Sequence, residues 1–525
     1  MRNRSRSKSS LLPIAMAVFL CLAGAPISEA SSTAQPERRP LPAESGADHA
    51  ANASLDLGPF RMHRSLPRLE QGRLIRLEAS YDESIALKDV LLETMRHNLP
   101  IRISKESWNY QKYQLFADLS QFLPSFNMGY NITGSLIGPG HIGANAKVFS
   151  TQITYPVFQG GSVLYNSLAQ YYRNVGWHHA YQSTINDALM DAYNKYSDLA
   201  LQDAILRIRE HALALSSMRL DLNTAMYEAG TATQFAVMQS RTQLALDREA
   251  HCQQQMATRQ AALELAYVMN MPMAINLIPR EPVLKESDLF PDREKLSIND
   301  YVSMAVDRRP ELRQYEMYRL AAARTVQTAA AALYPAVSFY HSYADTSVTA
   351  SDSSDSASTT LENAGVFTGD TRNFQLGFNL TWTLSNMGLL NTANVVSARA
   401  LSRQAMVQAN QELVQIMQQV RTGYDATQIA RERIDSAAYA ADSGREALRL
   451  AHLRLKTGLG TNLELIQAQR SYIDAVIAKA RAITASNKAQ AALLHSTGLI
   501  SVDTLVDGYT GDKEPPAKKH SLFKF

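Results

Sequence analysis

Leu453 to Arg470 reads LRLKTGLGTNLELIQAQR, and Met226 to Arg241 reads MYEAGTATQFAVMQSR. In each, a long helix-like stretch runs into a glycine, Gly458 or Gly230, where a helix can end in the left-handed conformation that glycine adopts at little cost. Thr461 and Thr233 follow three residues later, each placing a hydroxyl where it can cap a returning helix. Both stretches therefore read as helix, tight turn, helix.

The two copies keep register. Gly458 minus Gly230 is 228, and the pairs Thr461/Thr233 and Gln467/Gln239 share that offset. A duplicated helical hairpin is the simplest explanation. The helices leading into the turns carry seams of period seven, the coiled-coil pattern. In the second copy the seam is Met406, Leu413, Val420, Ile434, Ala441, Leu448 and Leu455, interrupted by Thr427. Three residues after these positions lies a mostly small-residue stripe that includes Ala409, Gly423, Ala437 and Gly444, which lets a neighbouring helix approach closely. In the first copy Ile185, Ala192, Leu199, Leu206, Leu213, Leu220 and Tyr227 repeat in the same phase. From Gly161 to Tyr227 and from Gly388 to Leu455 there is no proline. At ~1.5 Å per residue each helix would run ~100 Å, too long for a compact globular domain.

Arg2, Arg4, Arg6 and Lys8 precede an apolar run from Leu11 to Ala25, and Ser28-Glu29-Ala30 then offers small residues for cleavage. Residues 1–30 are thus expected to be a signal peptide. Cys21 lacks the small preceding residues of a lipidated cysteine, and Cys252, the only other cysteine, has no partner for a disulfide. A lone helical cysteine is expected to be a small core residue. Residues 31–80 are polar and proline-rich and read as a disordered arm. The formal charge of +3 includes the basic leader, so the mature chain is near neutral and offers nothing that points to nucleic acid. No later stretch approaches the ~18 to 20 apolar residues of a spanning helix. A membrane-crossing mature chain must cross with strands.

The strand signal follows two prolines. Helices are expected over 84–99 and 104–123, ending at Pro100 and Pro124, with counterparts over 298–309 and 311–333, ending at Pro310 and Pro335. After Pro124 the period drops to two: Phe126, Met128, Tyr130 and Ile132 alternate with Asn127, Gly129 and Asn131, and Phe149, Ile153 and Tyr155 return. After Pro335 come Val337, Phe339 and Tyr343, a Ser/Asp/Thr-rich loop over 345–360, and then Phe374, Leu376, Phe378, Leu380, Trp382 and Leu384 alternating with Gln375, Gly377, Asn379 and Thr381. These are two hairpins, expected at about 125–157 and 336–385. Their strands have the length of membrane-spanning strands, their apolar faces are aromatic-rich, and their polar faces hold few charges. Four strands cannot close a barrel, because unpaired edge groups in hydrocarbon cost several kcal/mol each and known bacterial barrels need at least ~8 strands. Several protomers must therefore share one.

With these elements in order, the chain resembles the TolC-like outer-membrane efflux and secretion channels. The resemblance is carried by Asn98-Leu99-Pro100-Ile101, Leu123-Pro124-Ser125, Tyr155-Pro156-Val157-Phe158-Gln159-Gly160-Gly161, Arg309-Pro310-Glu311-Leu312, Tyr334-Pro335-Ala336 and Gly458 to Gln469, and spans about 81–500. It implies a mostly α chain with a membrane β-barrel: long coiled-coil helical hairpins in a duplicated repeat, with four strands per chain contributing to a shared trimeric twelve-stranded barrel. The repeats fall at 81–298, with a helical hairpin at 161–272, and at 299–500, with one at 388–497. A flexible tail is expected over 501–525. The implied function is an outer-membrane duct that passes drugs, metals or proteins outward, in partnership with a periplasmic adaptor, an inner-membrane transporter and outer-membrane lipid. No cofactor and no catalysis are implied. The sequence itself shows no HExxH, Gly-x-Ser-x-Gly or phosphate-loop motif, and adjacent His178 and His179 point different ways on a helix.

By the same resemblance, the turns form the tunnel's lower end, and Glu464 and Gln467 occupy the positions where acidic residues narrow it. Only the first keeps a carboxylate, so a single ring is expected. Three such groups ~7 Å apart at an effective dielectric of ~20 would repel by ~2 kcal/mol per pair. Leu455 and Gly460 stand where the family has tyrosine and arginine in its tip network. Glu228, Ala229, Gly230, Lys456, Thr457, Gly458 and Leu459 are the candidate adaptor contacts. The rival reading is a periplasmic coiled-coil adaptor or structural protein without a pore, which would leave the long aromatic-faced strands unexplained.

Overall fold

The computed structural model describes residues 81–137, 142–273, 275–280, 286–290, 296–350 and 369–509. The expected signal peptide (1–30), the arm (31–80) and residues 510–525 lie outside them.

The duplication is visible in helix lengths. Helices α1 (Leu87–His97) and α2 (Leu99–Ser120) precede strands β2 (Ser125–Ile137) and β3 (Ile142–Gln159), and the long α3 (Ser162–Glu228) turns back into α4 (Gln234–Val268). The second repeat has α5 (Ile298–Arg308), α6 (Pro310–Ala331), β5 (Ala336–Ala350), β6 (Gly369–Thr381), α7 (Leu389–Lys456) and α8 (Asn462–Ser496). Lengths of 11, 22, 67 and 35 residues in the first repeat meet 11, 22, 68 and 35 in the second. Asn98 accepts from the Ile101 N–H to start α2, with proline in its first turn, and α6 likewise opens on Pro310.

The four long strands form one antiparallel sheet in the order β2-β3-β5-β6. β5 lies against β3, so the two hairpins are continuous, and Pro156, which cannot donate to a ladder, sits at a register shift. At 13, 18, 15 and 13 residues the strands exceed the expected length. Opposed residues share a face in an antiparallel pair. The register joins Phe126 to Ile153, Tyr130 to Phe149, Ile153 to His341, Phe339 to Phe378 and Tyr343 to Phe374. The other face carries Asn127, Asn131, Gln152, Ser342, Gln375 and Asn379, none of them charged. The apolar face is bare within one chain: Phe126, Ile132, Phe374 and Phe378 are each more than 60% exposed. Charges appear only toward its far end, where Arg372 lies 3.4 Å from Asp345.

The principal apolar core gathers around the middle of the long helices. Leu91, Leu199, Leu265, Tyr301, Ile416 and Leu493 are fully buried there. A short parallel pair, β1 (Tyr81–Ile85) with β4 (Ile275–Pro279), joins it. This strand corrects the expectation of a helix from Ser84: Ile85 is buried in the core as a strand residue, and the helix starts at Leu87. The tail is also corrected. Residues Val502–Asp507 form a helix, α9, opened by a Ser501/Thr504 capping box, with Leu505 buried and the Tyr509 N–H donating to the Leu289 carbonyl at 2.8 Å. Cys252 is exposed on α4, not in the core. No helix among the described residues is long and apolar enough to cross a membrane.

Candidate functional site at the helical tips

Both turns close by the same backbone chemistry. In the first, Gly230 has φ 75°, its N–H donates to the Tyr227 carbonyl at 2.9 Å, and the Thr231 N–H reaches back to Met226 at 2.8 Å. In the second, Gly458 has φ 72°, its N–H meets Leu455 at 3.1 Å, and the Leu459 N–H meets Arg454 at 2.9 Å. This double bond is the Schellman closure, which needs a left-handed residue at the glycine. Thr233 and Thr461 cap the returning helices by accepting from the Ala236 and Glu464 N–H groups. A methyl group added at either glycine would meet nothing within 4 Å, so the tips are open to an approaching partner.

The candidate contact residues Glu228, Ala229, Gly230, Lys456, Thr457, Gly458 and Leu459 are all exposed at these turns. Leu459 is 76% exposed, and Phe235, the second residue of α4, is 71% exposed. Glu464 and Gln467 share the exposed side of α8, while Leu465, Ile466 and Gln469 on its other side are buried. Glu464 does not stand alone: its carboxylate lies 3.6 Å from the Arg454 guanidinium, which also donates to the Leu459 carbonyl at 3.3 Å. A cation thus already sits beside the charge expected to narrow the tunnel. Gly460 leaves room for it, since a Cβ there would come within 3.0 Å of the Arg454 Cβ.

Above the turns the seam departs from the sequence expectation. Leu213, Leu220 and Tyr227 are only partly covered, and the buried positions of lower α3 are Ser216, Arg219 and Asn223. They belong to two polar layers. In the lower layer Asn223 Nδ2 donates to Ser240 Oγ at 2.6 Å and to Asn462 Oδ1 at 3.1 Å, and Asn462 Nδ2 donates to the Ala236 carbonyl and to Gln239 Oε1, each at 3.3 Å. In the upper layer Asp247 accepts from Ser216 and from Gln243, and Gln469 donates to Ser216. The Arg219 guanidinium is buried beside Asp247 with Nη1 unpartnered, and burial lowers its pKa. Ser216/Asn223, Ser240/Asp247 and Asn462/Gln469 are each seven apart, a polar heptad on three helices. That spacing was legible in the sequence, but only to a search for polar rather than apolar repeats.

His178 lies on Trp108 with ring centroids 4.7 Å apart, and His179 bonds Gln182 at 3.0 Å. Among the described residues no three His, Cys, Asp or Glu side chains cluster so as to hold a metal.

Duplicated long helical hairpins springing from one amphipathic sheet, open at both edges, are the protomer architecture seen in TolC-like outer-membrane channels. Residues 301–499 match the family described as outer membrane efflux protein. The chain is 26% identical to the outer membrane protein OprJ of Pseudomonas aeruginosa over 279 residues, 52% of each chain, so it spans about half the length of that curated relative in the match. Its fold is that of solved channels. The CmeC outer-membrane channel of Campylobacter jejuni superposes with a TM-score of 0.65 at 16% identity, covering 78% of this chain and 85% of that one. VceC of Vibrio cholerae does so at 0.63 and 17%, covering 78% and 96%. The resemblance read from the sequence holds: the chain is similar to TolC-like outer-membrane channels of the efflux class, in fold over most of its length and in sequence over residues 301–499, and that likeness places it in the outer membrane.

Proposed function

We propose that three copies of this chain pool their sheets into a twelve-stranded barrel, continue as a helical tunnel in the periplasm, and serve as the passive exit duct of a tripartite efflux or type I secretion assembly. The observation that carries this reading is the sheet. Its apolar face is bare and aromatic, its other face polar and uncharged, and β2 and β6 each have a neighbour on one side only. Pairing β6 of one copy with β2 of the next satisfies every edge and turns the polar face inward to water. The tips, with bare glycine backbone and exposed Leu459 and Phe235, suit packing against another helical hairpin, that of a periplasmic adaptor serving an inner-membrane transporter. Drugs, metals and proteins are all compatible cargo, because a wide polar bore selects little.

Mass measurement of the detergent-extracted protein, with planar-bilayer recording, tests this reading. A trimer that conducts is expected. A monodisperse, detergent-free monomer with no conductance would leave only the poreless periplasmic alternative.

A further inference from the structure

The two tips have the same backbone and opposite charge. The 228-residue offset that relates the repeats puts Glu228 opposite Lys456 and Phe235 opposite Leu463. Glu228 is the last residue of α3 and Lys456 the last of α7. Each tip thus presents one net charge beside exposed apolar side chains, Phe235 at the first, 71% exposed, and Leu463 and Leu459 at the second, 49% and 76% exposed.

Local physics favours only one of these charges. A helix C-terminus carries unsatisfied carbonyls worth roughly half a negative charge, so a cation there is stabilising and an anion is not. Lys456 complements the end of its own helix. Glu228 adds a full negative charge to a negative helix end, and among the described residues no cation pairs with it. At the second tip Arg454 and Glu464 offset each other, which leaves Lys456 as the uncompensated charge. Nothing inside the chain explains a carboxylate in that place, and a basic partner would.

We infer that the Glu228 tip is the strong docking point for a helical hairpin carrying arginine or lysine at its turn, and that Lys456 disfavours the same hairpin at the second tip. This inference rests on the reading that partners dock at the tips. A trimer would then offer three strong points alternating with three weak ones, and a ring of six basic hairpins would seat as three pairs. The apolar contact at Phe235 or Leu463 supplies affinity at both tips, and the charge decides between them.

The test uses the full-length trimer with Cys252→Ser, carrying a photo-crosslinker on a cysteine placed at Thr231 or at Leu459, equivalent positions 228 residues apart. The probes are two designed antiparallel helical hairpins, identical but for arginine or glutamate at the turn. The arginine hairpin should label the first tip about threefold more than the second, the size of effect an exposed ion pair supports. Glu228→Gln should lower that preference to the part Lys456 sets, Glu228→Gln with Lys456→Gln should abolish it, and Lys456→Glu should raise labelling of the second tip to that of the first. Equal labelling of both tips in the parent, or a preference that survives the double substitution, overturns the charge assignment while leaving tip docking intact. An arginine hairpin that labels neither tip in any variant brings down the docking reading and this inference with it.

Discussion

Glu464 shows how a neighbour changes what a single residue can do. Alone on a threefold axis, its carboxylate would give a ring selective for cations, but Arg454 sits 3.6 Å away across the turn. Ten residues separate the pair, so no helical spacing announces it; only the Schellman closure brings them together. In bilayer recordings Glu464→Gln should weaken cation preference, and Arg454→Gln should strengthen it by unmasking the ring. Unchanged selectivity in both would remove this pair from the conducting path. His179 makes a different point. Burial holds its imidazole below the ordinary 6.5, helped by His178 and Arg313 and opposed by the Gln182 hydrogen bond. The unfolded chain therefore takes up a proton first as pH falls. The stability His179 contributes is full above 6.5 and is lost as pH drops through its lowered value in the fold. Thermal unfolding across a pH series should show His179→Gln less acid-sensitive than the parent; parallel curves would contradict this.

At the scale of elements, the polar layers distinguish the ends of the long hairpins. Higher on the same helices Ile205, Ala212, Ile473 and Ile477 form an apolar cluster, whereas near the turns α8 is held to α3 and α4 by Asn223, Ser240 and Asn462. Removing one member strands buried partners. Asn462→Ala should cost ~1 to 3 kcal/mol, read as faster hydrogen exchange at the tips or a lower denaturation midpoint. Replacing all three with apolar residues of similar size should recover most of that loss, since no polar group is then left unpaired. If the single and triple variants are equally destabilised, packing volume rather than hydrogen bonding sets the seam. The long helices, their caps and both turns were legible because glycine, threonine and seven-residue spacing are local. The lower seam was hidden from an apolar search, because the apolar stripe through Leu213 and Leu220 continues in sequence while the buried face rotates to Ser216, Arg219 and Asn223.

For the whole molecule, the sheet sets the architecture. Leu376 on the bare face and Gln375 on the polar face are adjacent in β6 and separated by what each would meet in the assembled barrel. Leu376→Arg should cost ~2 to 4 kcal/mol near the bilayer midplane and reduce trimer recovered from outer membranes, whereas Gln375→Arg should leave recovery intact and alter conductance. A soluble sheet with Leu376 facing water, as it is in one chain at 61% exposure, would tolerate both.

By itself the sequence determined the repeat, the turns and the strand pattern, and it supplied the ground for expecting partner copies, because each follows from short-range periodicity or from the cost of unpaired backbone in lipid. Only the tertiary structure decided which strands are neighbours, that Arg454 meets Glu464, that β1 pairs with β4, and that buried polar layers tie the hairpins near their tips. Those contacts join residues ten to nearly two hundred and forty positions apart. Their energies depend on burial and geometry, which no local pattern encodes.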